Sequence, residues 1–142
     1  MTRTEIPPEL LAAYHATEYW VGNEPGGFCL RVEIYSAQLA QLLLESECEC
    51  AAFISAHNPF SKPRAARANG AAHERLRQAL AQQSARLLEG AGRDAGGRWP
   101  EEKSFLAIGL GLEASKEVGK RFRQNAIVWA GSDAVPRLIL LR

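Results

Sequence analysis

The sequence predicts an α+β fold. It is a single domain over residues 1–142, with a mainly antiparallel sheet, open to strong bending, of about five to seven strands and with three or four helices. Three observations carry this expectation. Strand-like segments outnumber helical ones by about two to one. They occur as adjacent pairs as well as singly between helices, which suits antiparallel pairing better than a doubly wound parallel sheet. The chain's 142 residues fit one hydrophobic core, and no repeat, low-complexity tract or linker divides them.

Residues 7–16, PPELLAAYHA, read as an opening helix, with prolines in the first turn and Leu10, Leu11 and Tyr14 at helical spacing. TEYWV follows as a strand and GNEPGG as a hairpin connection. Phe28, Leu30, Val32 and Ile34 then alternate with Cys29, Arg31 and Glu33, the pattern of a half-buried strand. Ser36 is placed to cap a helix over AQLAQLLLES whose inward stripe is Leu39, Leu42 and Leu43. CAAFISA is a continuous apolar run, as a central strand covered on both faces requires.

The segment HNPFSKPRAARANG breaks all periodicity and reads as a loop. A helix resumes from Ala71 to Gln83 with Ala72, Leu76, Ala79 and Leu80 on one face. ARLLEG reads as a strand, AGRDAGGRWP as a glycine-rich loop and SFLAIGL as a second strongly apolar strand. Residues 112–122 form a helix with Ala114, Val118 and Phe122 inward and Glu117 placed to pair with Arg121. AIVWA and RLILL are the last strands, joined by GSDAVP. RLILL suits either the centre of the sheet or an edge that pairs across a two-fold axis, so a homodimer stays open.

Hydrophobic residues make up 46% and charged residues 23%, ordinary values for a soluble globular protein. The net charge of +1 offers no global attraction to nucleic acid or membrane. The longest apolar runs fall far short of the roughly 20 residues that span a bilayer. MTRTEIPPELL lacks the apolar core of a secretory signal, so the expectation is a cytoplasmic protein with no membrane partner. The odd count of 3 cysteines argues against a disulfide framework and for a reducing compartment. Cys48 and Cys50 in ECEC lack the second pair that a structural zinc site needs, so no metal and no cofactor is expected.

Three segments carry candidate chemistry. His57 to Arg67, extended to Arg77, is rich in amides and arginines, which suits a phosphate or carboxylate at a helix N-terminus. Asn58-Pro59 as a plain turn and Asn69 as a plain cap explain the same residues. In GRWPEEKS, Trp99 can stack on a ligand or plug the edge of the core. Glu101 and Glu102 point to opposite faces of a strand and do not share a site. Gln124 and Asn125 either end a helix or present amides beside a central strand. Nucleophile elbow, Walker loop, dinucleotide fingerprint and zinc-protease helix are all missing from the sequence. His15 and His73 read as ordinary surface residues, and nothing fixes His57 and Ser61 as a base–nucleophile pair.

FISAHNPFS, the following Asn69, WPEEKSFLAIGL and GKRFRQNAIVW together resemble domain-of-unknown-function family 3293, a family of small bacterial proteins, from about Tyr14 to Leu141. The polar positions carried over by that resemblance are Asn58, Ser61, Asn69, Trp99, Glu101, Glu102, Ser104, Gln124 and Asn125. Lys103 stands between the glutamates and Ser104, and His57 stands where the family pattern has a variable or aromatic residue. The resemblance implies a similar fold and no established activity.

The expected function is therefore a binding module for a small anionic or nucleotide-like molecule. Its expected ligand-binding residues are Asn58, Ser61, Arg64, Arg67, Asn69, Trp99, Glu102, Gln124 and Asn125. One alternative is a nucleic-acid or protein interaction domain on a small bent sheet, similar to an Sm-like or other small barrel, with RNA held by the basic 62–77 stretch. The other is a hydrolytic enzyme with a glutamate base, for which the sequence offers no nucleophile.

Overall fold

The computed structural model describes residues 4–22 and 26–142. In chain order these form α1 (Pro8–Ala16), β1 (Glu18–Val21), β2 (Phe28–Leu30), α2 (Ala37–Glu45), β3 (Ala51–Ser55), a 3-10 turn (Pro59–Ser61), α3 (Ala66–Ala81), β4 (Arg86–Arg93), β5 (Glu102–Ile108), α4 (Leu112–Arg121), β6 (Ala126–Ala130) and β7 (Arg137–Leu140). The seven strands make one curled, half-barrel sheet in the order β2-β1-β4-β5-β3-β6-β7. Every neighbouring pair is antiparallel. The fold is α+β, as the sequence predicts.

The continuous apolar run becomes β3, hydrogen-bonded to β5 on one side and to β6 on the other. Because successive strand residues point to opposite faces, Ala51 and Phe53 join one core while Ala52 and Ile54 join another. The first core adds Leu106, Val128 and the Leu39, Leu42 and Leu43 stripe of α2. The second adds Phe105, Ile127, Val118 of α4 and the Ala72, Leu76 and Leu80 stripe of α3. So α2 covers one face of the sheet, and α3 and α4 cover the other. Fully burying a leucine or phenylalanine stabilises by about 1.5–3 kcal/mol, and Leu39, Leu76, Leu80 and Phe105 are each 0% exposed. Ser36 caps α2 through its hydroxyl, which accepts from the Leu39 amide at 3.1 Å.

Several elements differ in extent from expectation. The alternating stretch after Phe28 is a strand only as far as Leu30. Its partner β1 has just four residues, and Glu33 turns left-handed at φ 68 while its amide donates to the Pro136 carbonyl at 2.7 Å. α3 begins at Ala66, so Asn69 and Gly70 lie inside its first turns, and the N-cap position is Ala65. β4 runs on to Arg93 because β1 pairs with it as far as Glu18↔Arg93. β7 is an edge strand. Along α4 the ion pair is Lys116 with Glu113 at 3.4 Å, and Glu117 with Arg121 is absent from the ion pairs of the described residues. Residues 23–25 of the expected hairpin connection lie outside the described residues, although β1 and β2 do pair, Val21 facing Phe28. Cys29, Cys48 and Cys50 are free thiols. No helix among the described residues is long and apolar enough to cross a membrane.

Candidate functional site

Beyond Ser55, at the end of β3, the chain enters a strained loop. Asn58 (φ 45), Phe60 (φ 56) and Ser61 (φ 60) all occupy the left-handed region. That region costs about 1–2 kcal/mol for a residue with a Cβ, and such strain persists only where surrounding bonds over-determine the backbone. Here those bonds are visible. The Phe60 amide donates to the Arg123 carbonyl at 2.7 Å and the Ser61 amide to the Asn58 carbonyl at 2.7 Å. The Asn58 amide donates to Asn69 Oδ1 at 2.9 Å.

Asn58 and Asn69 form the hub of a first network. Asn69 Nδ2 donates back to Asn58 Oδ1 at 2.9 Å, and that oxygen also accepts from the Arg64 amide at 3.0 Å. Asn58 Nδ2 donates to Glu102 Oε2 at 2.7 Å. Asn69 is buried in the first turns of α3, so its amide serves the loop rather than capping the helix. Burial pushes the Glu102 carboxyl above the usual carboxylate range, while the Asn58 hydrogen bond pulls it partly back. Glu101, its neighbour, lies just outside β5 and lines the same cleft, contrary to the expectation that the two do not share a site, and it pairs with Arg93 at 3.3 Å. Ser104 is buried and donates to the Glu102 carbonyl at 3.2 Å.

A second network closes the other side. Asn125 Nδ2 donates to the Tyr14 hydroxyl at 2.8 Å, and Tyr14 and Ser61 share a short hydroxyl–hydroxyl bond. Arg142 Nη1 donates to Asn125 Oδ1 at 3.0 Å, and its guanidinium lies 4.2 Å over the Phe60 ring. Gln124 Nε2 donates to the carbonyls of His57 and Phe122, both at 3.2 Å, so it braces the loop against the end of α4.

Between these networks opens a cleft of about 840 Å³. One wall is α1, whose Leu10, Ala13 and Tyr14 recur at helical spacing along the lining, continued by the buried Thr17 just past its end. That inward stripe meets open space rather than core, which is why none of the residues of α1 is buried. Asn58, Ser61 and Arg64 line the cleft from the loop, and Asn69 from α3. Trp99 lines it from the approach to β5, Glu102 from the first position of β5, and Gln124 and Asn125 from the approach to β6. Arg67 stands exposed on α3, outside that lining. The cleft's charges are unevenly matched. Glu74 is held by Arg77 at 3.4 Å and Glu101 by Arg93, whereas Arg64 and Lys103 form no ion pair among the described residues.

Three residues of this region escape sequence reasoning. Tyr14 reads as part of a buried stripe, yet its hydroxyl is a network member. Arg142 carries no motif at all. His73 is a correction: it is buried, not a surface residue, and stacks on Phe105 with centroids 4.3 Å apart. Its ring stands 5.9 Å from that of His57. His73 Nδ1 and His57 Nε2 are buried without a partner among the described residues. Burial holds both imidazoles below their ordinary range, reinforced at His57 by His73 and Lys103 and at His73 by Arg77 and Lys103. The helical period could have placed His73 inward, since it adjoins Ala72 and precedes Leu76 by three. Among the described residues, no three His, Cys, Asp or Glu side chains are grouped to hold a metal ion.

No curated protein and no solved structure matches the chain. A family model described as "Protein of unknown function (DUF3293)" matches residues 54–127, just over half of the 142 residues. The match begins within β3 and ends within β6, so it spans the strained loop, α3 and the Trp99–Ser104 segment. The chain belongs to the DUF3293 family.

Proposed function

We propose that the protein binds a small anionic, nucleotide-like molecule in the cleft between α1 and the rim of the sheet. The observation that supports this best is convergence. Asn58, Ser61, Trp99, Glu102, Gln124 and Asn125 come from three distant stretches of chain yet line one cleft of about 840 Å³, within the roughly 300–1,000 Å³ usual for ligand sites. Trp99 offers a ring face for a flat heterocycle. Arg64 and Lys103 are the cations left without carboxylate partners, so they suit the ligand's negative charge. The test is thermal unfolding across a set of nucleoside mono-, di- and triphosphates. A ligand present at one hundred times its Kd stabilises by about 2.7 kcal/mol. Trp99→Ala and Arg64→Ala should lose the ligand-induced shift while melting, without ligand, near the wild type. A shift retained in both variants, or no shift across the set, would sink the proposal.

Glu102 favours a second reading, in which the bound molecule undergoes proton transfer. Its carboxyl lies in the cleft and is raised by burial, as suits a general base or acid. Glu102→Gln would then bind the ligand as before but fail to turn it over. Retention of turnover in that variant would exclude this reading and leave binding alone.

A further inference from the structure

We infer a second anion site, separate from the cleft, that takes a small multiply charged phosphate of the pyrophosphate class. A hollow of about 290 Å³ lies between α3, the Asn58–Arg64 loop and the end of α4. Four arginines line it: Arg64 from the loop, Arg75 from α3, and Arg121 and Arg123 from the end of α4. Ala56 and Ala72 also line it, and their small side chains, 1% and 2% exposed, leave it depth. Arg64 lines the cleft as well, so the loop is the wall between the two sites.

Charge makes this hollow unusual within the molecule. No carboxylate lines it, and none of its four arginines joins an ion pair among the described residues. The nearby acid Glu74 is already held by Arg77. Four guanidiniums around one small hollow repel each other, and an anion of two or more charges would relieve that repulsion. Their planar forks match phosphate oxygens in bidentate fashion.

The negative end of α4 argues the other way, since helix C-termini disfavour anions. Here it is largely offset within the chain. The amides of Phe122, Arg123 and Gln124 take the carbonyls of Val118, Lys120 and Gly119 at 3.0–3.1 Å. Arg123 adds a further sign. It sits at φ 57 just past α4, where glycine is the usual residue, so the chain holds an arginine in a strained position. The size of the hollow favours a small phosphate over RNA, whose backbone needs a groove to follow.

The test is isothermal titration of the whole chain at low salt with inorganic pyrophosphate, beside sulfate and a single-stranded RNA. Pyrophosphate should bind more tightly than sulfate. Arg75→Gln and Arg121→Gln should each weaken it about tenfold, the scale of one charge-assisted hydrogen bond. Arg123→Gly should weaken it similarly while the melting temperature holds or rises, because glycine accepts the left-handed backbone. Arg86→Gln, an exposed change on β4, should leave binding unaltered. The inference fails if Arg86→Gln weakens pyrophosphate equally, if Arg123→Gly binds as the wild type does, or if sulfate binds as well. It fails too if RNA binds more tightly with a steep salt dependence. The variants at Arg75, Arg121 and Arg123 lie outside the cleft lining, so this outcome is independent of the cleft proposal.

Discussion

Asn58 and Asn69, eleven positions apart, clasp each other through two hydrogen bonds of 2.9 Å, one to a backbone amide and one between side chains. Neither residue can be replaced without leaving a polar group of its partner unpaired. A buried donor or acceptor left unsatisfied costs about 1–3 kcal/mol. Asn69→Ala is therefore expected to lower stability by about 1–3 kcal/mol, any relaxation of the strained loop offsetting part of the loss. Urea denaturation would measure it, and a change under about 0.5 kcal/mol, the range of a neutral surface substitution, would refute the clasp.

Glu102 makes the fold sensitive to pH in one direction. Its ordinary value is 4.5, and burial raises it in the folded chain. Between those values the folded protein holds a proton that the unfolded chain has released. The stability it contributes is thus full below 4.5 and is lost as pH rises through the folded value. Glu102→Gln keeps an oxygen to accept from Asn58 and should be more stable at neutral pH than the wild type. A flat wild-type stability profile over that window, matching the variant, would contradict this.

His57 and His73 act in the opposite sense. Both ordinarily titrate at 6.5, and both are lowered in the fold. Below 6.5 the unfolded chain takes protons that the folded chain refuses, so stability is lost as pH falls through the folded values. His73→Phe keeps a ring on Phe105 and removes one of these groups. Its stability should decline less between pH 6.5 and the acid limb, and two-dimensional NMR should show both wild-type imidazoles titrating late.

Gly90 offers a purely steric prediction. A Cβ there would collide with the Trp20 carbonyl oxygen and meet the Phe53 ring at 2.9 Å. Backbone cannot yield as a side-chain end can, so Gly90→Ala should cost about 1–3 kcal/mol or more, as overpacked cores do. At Gly119 the nearest atoms belong to the Leu141 and Ile127 side chains, which can shift, and alanine favours helix by about 1 kcal/mol. Gly119→Ala should accordingly cost less. Thermal melts of the two variants in the reverse order would overturn the comparison.

What the sequence disclosed was polarity pattern, and what it hid was partnership. The β3 run is legible because a strand covered on both faces must be apolar throughout. The alternation after Phe28 is equally clean, yet pairing stops at Leu30 because the chain turns at once, the Ile34 amide bonding the Arg31 carbonyl and Glu33 taking φ 68. The start of α3 was invisible for a different reason. Ala65 at its N-cap has no capping side chain, and the buried residue of its first turns is a polar one, Asn69, so Asn69-Gly70 imitates a turn. The candidate residues after β3, before β5 and before β6 could be named from residue type. Tyr14 and Arg142 could not, because Tyr14 reaches Ser61 and Asn125, 47 and 111 positions away, and Arg142 reaches back to Asn125, Phe60 and Glu5.

The first helix has a kinetic meaning as well as a geometric one. α1 is tied to the sheet and loop through Tyr14, whose hydroxyl meets Ser61 and Asn125 and whose carbonyl accepts from the Tyr19 hydroxyl at 2.7 Å, and its apolar stripe faces the cleft. None of its residues belongs to either core cluster, so its opening free energy is expected to lie below that of β3 and β5. Its amides should therefore exchange with deuterium long before those of the central strands. A molecule bound beneath it should slow that exchange first, whatever its chemistry. Exchange in that order would make α1 a doorway to the cleft that opens while the central strands stay folded.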